Sequence, residues 1–170
     1  ATGGYAVHPK AFCGNNISTV SEILDGSVKL ENKNVAVIGS GMTGLETSEL
    51  LVSQGNKVTI IEMADEIAPS AWFQHVDDAL PVLEKAGTKF LTSHKLLSVS
   101  QSGIELEDLK SKKTISLKVD YVVLSLGVKP DTVLFDTIKN YKVYNIGDSL
   151  KIGRIANATE SAYQLVMSIE

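Results

Sequence analysis

Asn34-Val35-Ala36-Val37-Ile38-Gly39-Ser40-Gly41-Met42-Thr43-Gly44 runs a short apolar segment into a Gly-x-Gly-x-x-Gly string, and its reading decides the fold. A continuous β-branched run ending in glycine has the pattern of a parallel strand buried on both faces. Beyond it, Gly44, Leu45, Ser48, Leu51 and Val52 share one face of a helix over residues 42–54, which Gly55 ends. Lys57-Val58-Thr59-Ile60-Ile61-Glu62 then reads as a second strand. The result is a strand, helix, strand unit with an expected right-handed crossover.

Each glycine of the string has a separate purpose. Gly39 permits the tight turn, Gly41 lets a pyrophosphate approach the backbone, and Gly44 lets helix and strand pack closely. Ser40, Met42 and Thr43 complete a loop whose amides, at a helix N-terminus, suit phosphate oxygens. Glu62, 23 residues after Gly39, stands where a carboxylate accepts hydrogen bonds from the adenosine ribose. A 2′-phosphate there would meet like charge, and residues 63–68 offer no Arg or Lys to receive it, so NADH is expected over NADPH.

Outward from this unit the signals weaken. Residues 1–33 are broken by Gly3, Gly4, Pro9 and Gly14 and read as a linker, with one helical turn at Val20-Ser21-Glu22-Ile23-Leu24. A second helix is expected around Val76, Ala79, Leu80 and Leu83, with Pro81 kinking or restarting it. Lys89-Phe90-Leu91 is a third strand, and residues 95–100, 103–107 and 114–119 read as a β-meander. Residues 120–127 return to the buried-strand pattern, residues 142–148 read as a further strand, and Ile155, Ala158, Ala162, Leu165 and Ile169 mark the apolar face of a last helix. The expected fold class is α/β: a Rossmann-like parallel sheet with a β-meander crossover, of the FAD/NAD(P)-binding type.

Composition narrows the function classes. A net charge of -4 and the lack of a Lys/Arg stripe argue against nucleic acid as a partner. Lys110-Ser111-Lys112-Lys113 reads as a solvated hairpin loop. The single cysteine, Cys13, supports neither zinc nor dithiol chemistry, and a cytoplasmic setting is expected. No run of 18 apolar residues and no signal-like N-terminus is present, so no membrane partner is expected. His8, His75 and His94 lack metal-ligand spacing, and Trp72-Phe73 reads as a packing anchor over the following loop.

Four motifs together resemble the pyridine-nucleotide-disulfide oxidoreductase type of flavoprotein along essentially the whole chain. They are Ala1-Thr2-Gly3, the Gly39 loop with Leu45-Glu46, Leu124-Ser125-Leu126-Gly127-Val128-Lys129-Pro130, and Asn145-Ile146-Gly147-Asp148. The resemblance implies that Thr2 and Gly3 lie at the edge of an FAD domain and that Gly127 ends the NAD domain. It also implies that Glu46 lies near the nicotinamide and that Gly147 and Asp148 contact FAD, the aspartate at the ribityl chain. Gly-Met-Thr-Gly-Leu-Glu-Thr and Ile-Glu-Met-Ala-Asp-Glu-Ile-Ala-Pro are similar to the C-terminal part of old-yellow-enzyme-type NADH:flavin oxidoreductases, the group of 2,4-dienoyl-CoA and 2-enoate reductases.

On that resemblance, residues 1–33 are a linker and remnant of the FAD domain, 34–140 the NAD(H)-binding domain and 141–170 a return segment. The missing first glycine string and missing cysteine cluster imply partners within the same polypeptide: an FAD domain and an FMN/iron-sulfur barrel. Hydride would pass from NADH to FAD, with the cofactors carrying the chemistry and no acid or base supplied here. The alternatives are an NADH oxidase or peroxidase-type flavoprotein and a non-catalytic NADH-sensing module. Tyr141 and Tyr144 beside the Gly-Asp motif suggest a surface through which the chain alone self-associates.

Overall fold

The computed structural model describes residues 3–69 and 71–169. The chain forms two compact units, His8–Leu126 and a second assembled from Ala1–Val7 and Gly127–Glu170. It starts with β1 (Gly4–Ala6) in the smaller unit and enters the larger through β2 (Ile17–Thr19) and α1 (Val20–Leu24). Next come β3 (Asn34–Ile38), α2 (Met42–Ser53), β4 (Lys57–Ile61), α3 (Phe73–Lys85) and β5 (Lys89–Leu91). The strands β6 (His94–Ser100), β7 (Gly103–Asp108) and β8 (Thr114–Leu117) lead into β9 (Tyr121–Leu124), which closes the unit.

The larger unit has three layers around a parallel sheet of order β2-β9-β3-β4-β5. Side chains alternate across a strand with a period of two, so each central strand serves both faces. Val35, Val37, Val58, Ile60 and Val123 join Leu45, Leu51, Ala79 and Leu83 on the helical face. Ala36, Ile38, Ile61, Val122 and Leu124 face the other way and pack with Leu96, Ile104 and Leu106 of the antiparallel meander β6-β7-β8. The expected meander crossover between β5 and β9 is present. Pro81 does not restart the helix: α3 runs from Phe73 to Lys85 in one piece with Pro81 on its exposed side.

Two expectations need correction. Residues 8–33 are not a linker: Ile17, Ser18 and Thr19 are buried and pair in parallel with Val122, Val123 and Leu124. Three residues are too few to show a hydrophobic period, and the pairing is made by main-chain groups that would otherwise leave β9 an open edge. The compact units accordingly divide near residues 7 and 126 rather than 33 and 140. The strand expected at 142–148 does not form either. Its residues are irregular up to a 3-10 turn at Gly147–Ser149, where Asn145 and Ser149 hydrogen-bond to each other, and among the described residues no strand pairs with them.

The smaller unit pairs β1 antiparallel with β10 (Val128–Pro130) and adds α4 (Val133–Thr137) and α5 (Ile155–Ser168). In α5, Ala158, Ala162 and Leu165 are half-buried as the pattern expects, whereas Ile155 and Ile169 are exposed.

Asn56 joins α2 to the start of the sheet. Buried, it donates through Nδ2 to the carbonyls of Leu30 (2.7 Å) and Leu51 (2.9 Å) and accepts from the Lys33 amide (3.0 Å). Asn56→Ala leaves buried main-chain groups unpaired and is expected to cost about 2–4 kcal/mol, read as a lowered urea midpoint with unchanged m-value.

Candidate functional site

The carboxyl ends of β3, β4 and β9 converge at the point where the sheet order runs one way to β4 and the other to β9, the place where open α/β sheets bind ligands. A cleft of about 350 Å³ lies there, lined by Gly39, Gly41, Glu62, His94, Lys95 and Ser125 among others. Gly39 has φ +101°, which disfavours any side chain, and a Cβ on it would strike the Ser125 carbonyl. Gly44, in ordinary helical conformation, has no room for another reason: its Cβ would meet the Gly39 carbonyl and lie 2.9 Å from Ser125 Oγ. Gly41 faces open space instead, and no side chain caps the helix that starts after it. The three glycines therefore divide into a turn, a cradle and a packing contact, and the cradle suits a pyrophosphate on free helix-end amides.

Glu62 follows β4 directly and is fixed by its neighbours. Its Oε2 accepts from the Ser40 amide (2.9 Å) and the Ser40 hydroxyl (2.7 Å), and Oε1 accepts from the Ala64 amide (2.9 Å). Burial pushes the carboxyl up, but the hydrogen bonds from Ala64, Ser40 and Met63 outweigh it and hold it below the ordinary value of 4.5. A carboxylate whose folded pKa is depressed adds stability that is complete above its unfolded pKa and is lost as pH falls through the folded one. The difference in Tm between wild type and Glu62→Gln is thus expected to be constant above about pH 5 and to close below pH 4.5.

Other expected residues are placed as follows. Glu46 is exposed on the second turn of α2 and lines a separate groove with Met42, His75 and Asp78. Thr2 lies outside the described residues, while Gly3, Gly127, Gly147 and Asp148 belong to the smaller unit. The Gly3 carbonyl accepts from the Asp131 amide (3.0 Å) and that of Gly127 from the Val7 amide (3.0 Å). Gly147 lines a hollow with Lys151 and Asn157, and Asp148 Oδ1 accepts from the Gly153 amide (3.1 Å). Trp72 and Phe73 are not a buried anchor: they are 52% and 66% exposed, ahead of the buried stripe of α3 that starts at Val76.

The sequence reading missed Ser125, His94 and Lys95. The last two enter from the meander, about thirty positions beyond Glu62, and nothing local marks them. His94 Nδ1 bonds the Thr92 carbonyl (2.6 Å), and Lys95 lines the cleft that holds Glu62. A larger hollow over the meander, lined by Ser98, Ser100, Ser102 and Ser116, lies away from this convergence. Among the described residues no group of three or more His, Cys, Asp or Glu could hold a metal ion, and no helix is long and apolar enough to cross a membrane.

Sheet, meander and glycine loop define the class, an FAD/NAD(P)-binding type of α/β fold. Residues 1–162 match the family described as pyridine nucleotide-disulphide oxidoreductase, and the chain belongs to that family. It is 35% identical to bilirubin reductase of Mediterraneibacter gnavus over 144 residues, 79% of this chain and 21% of that protein. It is 29% identical to NADH oxidase of Thermoanaerobacter brockii, covering 99% of this chain and 27% of the oxidase. A solved complex of 2-naphthoyl-CoA reductase with 2-naphthoyl-CoA superimposes over all of this chain and 26% of that one, with a TM-score of 0.84 and 25% identity. The chain thus spans about a quarter of the length of these relatives.

Proposed function

We propose that this chain is the NAD(H)-binding part of a flavin-dependent oxidoreductase that passes hydride from NADH to FAD. One observation carries this reading: the open cradle at Gly41 and the ionised, hydrogen-bonded Glu62 line one cleft at the switch point of the sheet. In this reading residues 39–44 hold the pyrophosphate, through Gly39, Ser40, Gly41, Met42, Thr43 and Gly44, and Glu62 receives the adenosine ribose. Glu46 orients the nicotinamide, with Gly127 at the domain edge. Thr2, Gly3, Gly147 and Asp148 serve FAD.

The bound dinucleotide supplies the hydride and the flavin accepts it. This chain's residues position the donor: helix-end amides offset phosphate charge and Glu62 fixes the ribose, so no residue here needs to move a proton. The names of the relatives, an NADH oxidase and two reductases, are in keeping with that division of labour. The test is anaerobic mixing of the full-length protein with NADH. Bleaching of bound flavin is expected, and flavin that stays oxidised would sink the proposal.

The same reading places an FAD domain, and beyond it an FMN/iron-sulfur barrel, on the surfaces left bare. Tyr141 is 81% exposed and Ile155 84%, with Tyr163, Val166 and Met167 of α5 also exposed. Apolar surface of that extent marks contact sites. The chain expressed alone is therefore expected to self-associate in light scattering as its concentration rises, and a strictly monomeric chain would contradict this.

A further inference from the structure

We propose that the Ser40 side chain is a positioning residue for the dinucleotide: by occupying one oxygen of Glu62 it leaves the other to the ribose and thereby sets the preference for NAD(H). This rests on Glu62 being the ribose acceptor. The Gly-x-Gly-x-x-Gly pattern asks nothing of the residue after its first glycine except a main-chain amide, which any residue supplies. Here that residue is a serine at 0% exposure with its hydroxyl fully engaged.

The hydroxyl has a fixed direction. Ser40 Oγ accepts from the Ala68 amide (2.8 Å), so its single proton is committed to Glu62 Oε2 (2.7 Å). With the Ser40 amide at 2.9 Å on the same oxygen, both acceptor sites of Oε2 are used. Oε1 accepts from the Ala64 amide at 2.9 Å, and among the described residues no side chain donates to it, so it is the oxygen left to the ribose. Ala68 is buried with φ +53°, a conformation alanine rarely adopts, so the Ser40 bond also holds the 63–68 segment in place beside the carboxylate. A serine hydroxyl thus ties the phosphate loop, the ribose carboxylate and the segment after β4 into one unit.

The experiment is calorimetric titration of the full-length protein with NAD+ and NADP+, so that no hydride is transferred, for wild type, Ser40→Ala, Ser40→Thr and Glu62→Gln. Ser40→Ala is expected to weaken NAD+ about tenfold while changing NADP+ less than about threefold, and Ser40→Thr, which restores the hydroxyl, to recover most of the loss. The acidic limb of NAD+ affinity is expected to move to higher pH in Ser40→Ala, since Glu62 loses a stabilising bond. The other titratable groups lining the cleft, His94 and Lys95, are unchanged in that variant. A serine that merely supported the fold would lower Tm and leave the NAD+/NADP+ ratio and the pH limb where they were, which overturns the proposal. Glu62→Gln separates the two layers: if it weakens NAD+ and Ser40→Ala does not, positioning by Ser40 fails, whereas if it has no effect the ribose assignment itself fails. Should Ser40→Ala not fold, Ser40→Cys, of similar size and a weak donor, takes its place with the same expectations.

Discussion

Gly44→Val is expected to abolish NADH binding and to lower Tm by about 3–10 °C, the range that overpacking implies for a chain of this length. The position has ordinary helical geometry, so the effect is one of space alone. The first atom of the new side chain meets the Gly39 carbonyl and Ser125 Oγ, and two more carbons follow. Main chain cannot rotate aside as a side chain can, so α2 must move outward from β3 and carry the loop amides with it. Calorimetric titration and a thermal melt check both parts. A Gly44→Val variant that melts normally and still binds NADH would show that the loop is held by something other than this contact.

The second large effect concerns cofactor choice. Glu62→Ala is expected to weaken NADH about 30-fold and strengthen NADPH about tenfold, shifting the preference by about 300-fold, since charged hydrogen bonds are lost and like-charge repulsion is removed. Lys95, which lines the same cleft, is the cation expected to receive the added phosphate. The gain for NADPH should therefore disappear in Glu62→Ala/Lys95→Ala, measured as Kd for the two dinucleotides, while the loss for NADH remains. If Lys95→Ala does not affect the NADPH gain, removal of repulsion accounts for the whole shift.

Lys95 also changes the ground on which the expected NADH preference stands. Residues 63–68, directly after Glu62, hold no Arg or Lys. A lysine of β6, Lys95, lines the cleft instead. On the proposed reading the preference therefore rests on the negative charge of Glu62 beside the ribose, and no longer on the absence of a lysine from the cleft lining.

Much was legible in residues 34–62 because each signal there is local. A β-branched run bounded by glycine, a helix with one small-residue face and a carboxylate at the next strand end are written within a few residues of one another, and β3, α2 and β4 form where the pattern sets them. The meander was readable for the same reason, since two short turns separate strands of alternating character. The edge strand β2 was not, because its stability comes from main-chain pairing with β9, about a hundred residues away, and a three-residue strand has no period. The expected strand at 142–148 failed in the opposite sense: its residues favour extension, but among the described residues no strand pairs with them. At the site, the sequence by itself determined which residue types stand on the loop and at the strand end. The tertiary structure alone decided that Gly44 has no space because of Ser125, that Lys95 shares the cleft, and that Ser40 holds Glu62, because each depends on two chain segments meeting rather than on the residues of either one.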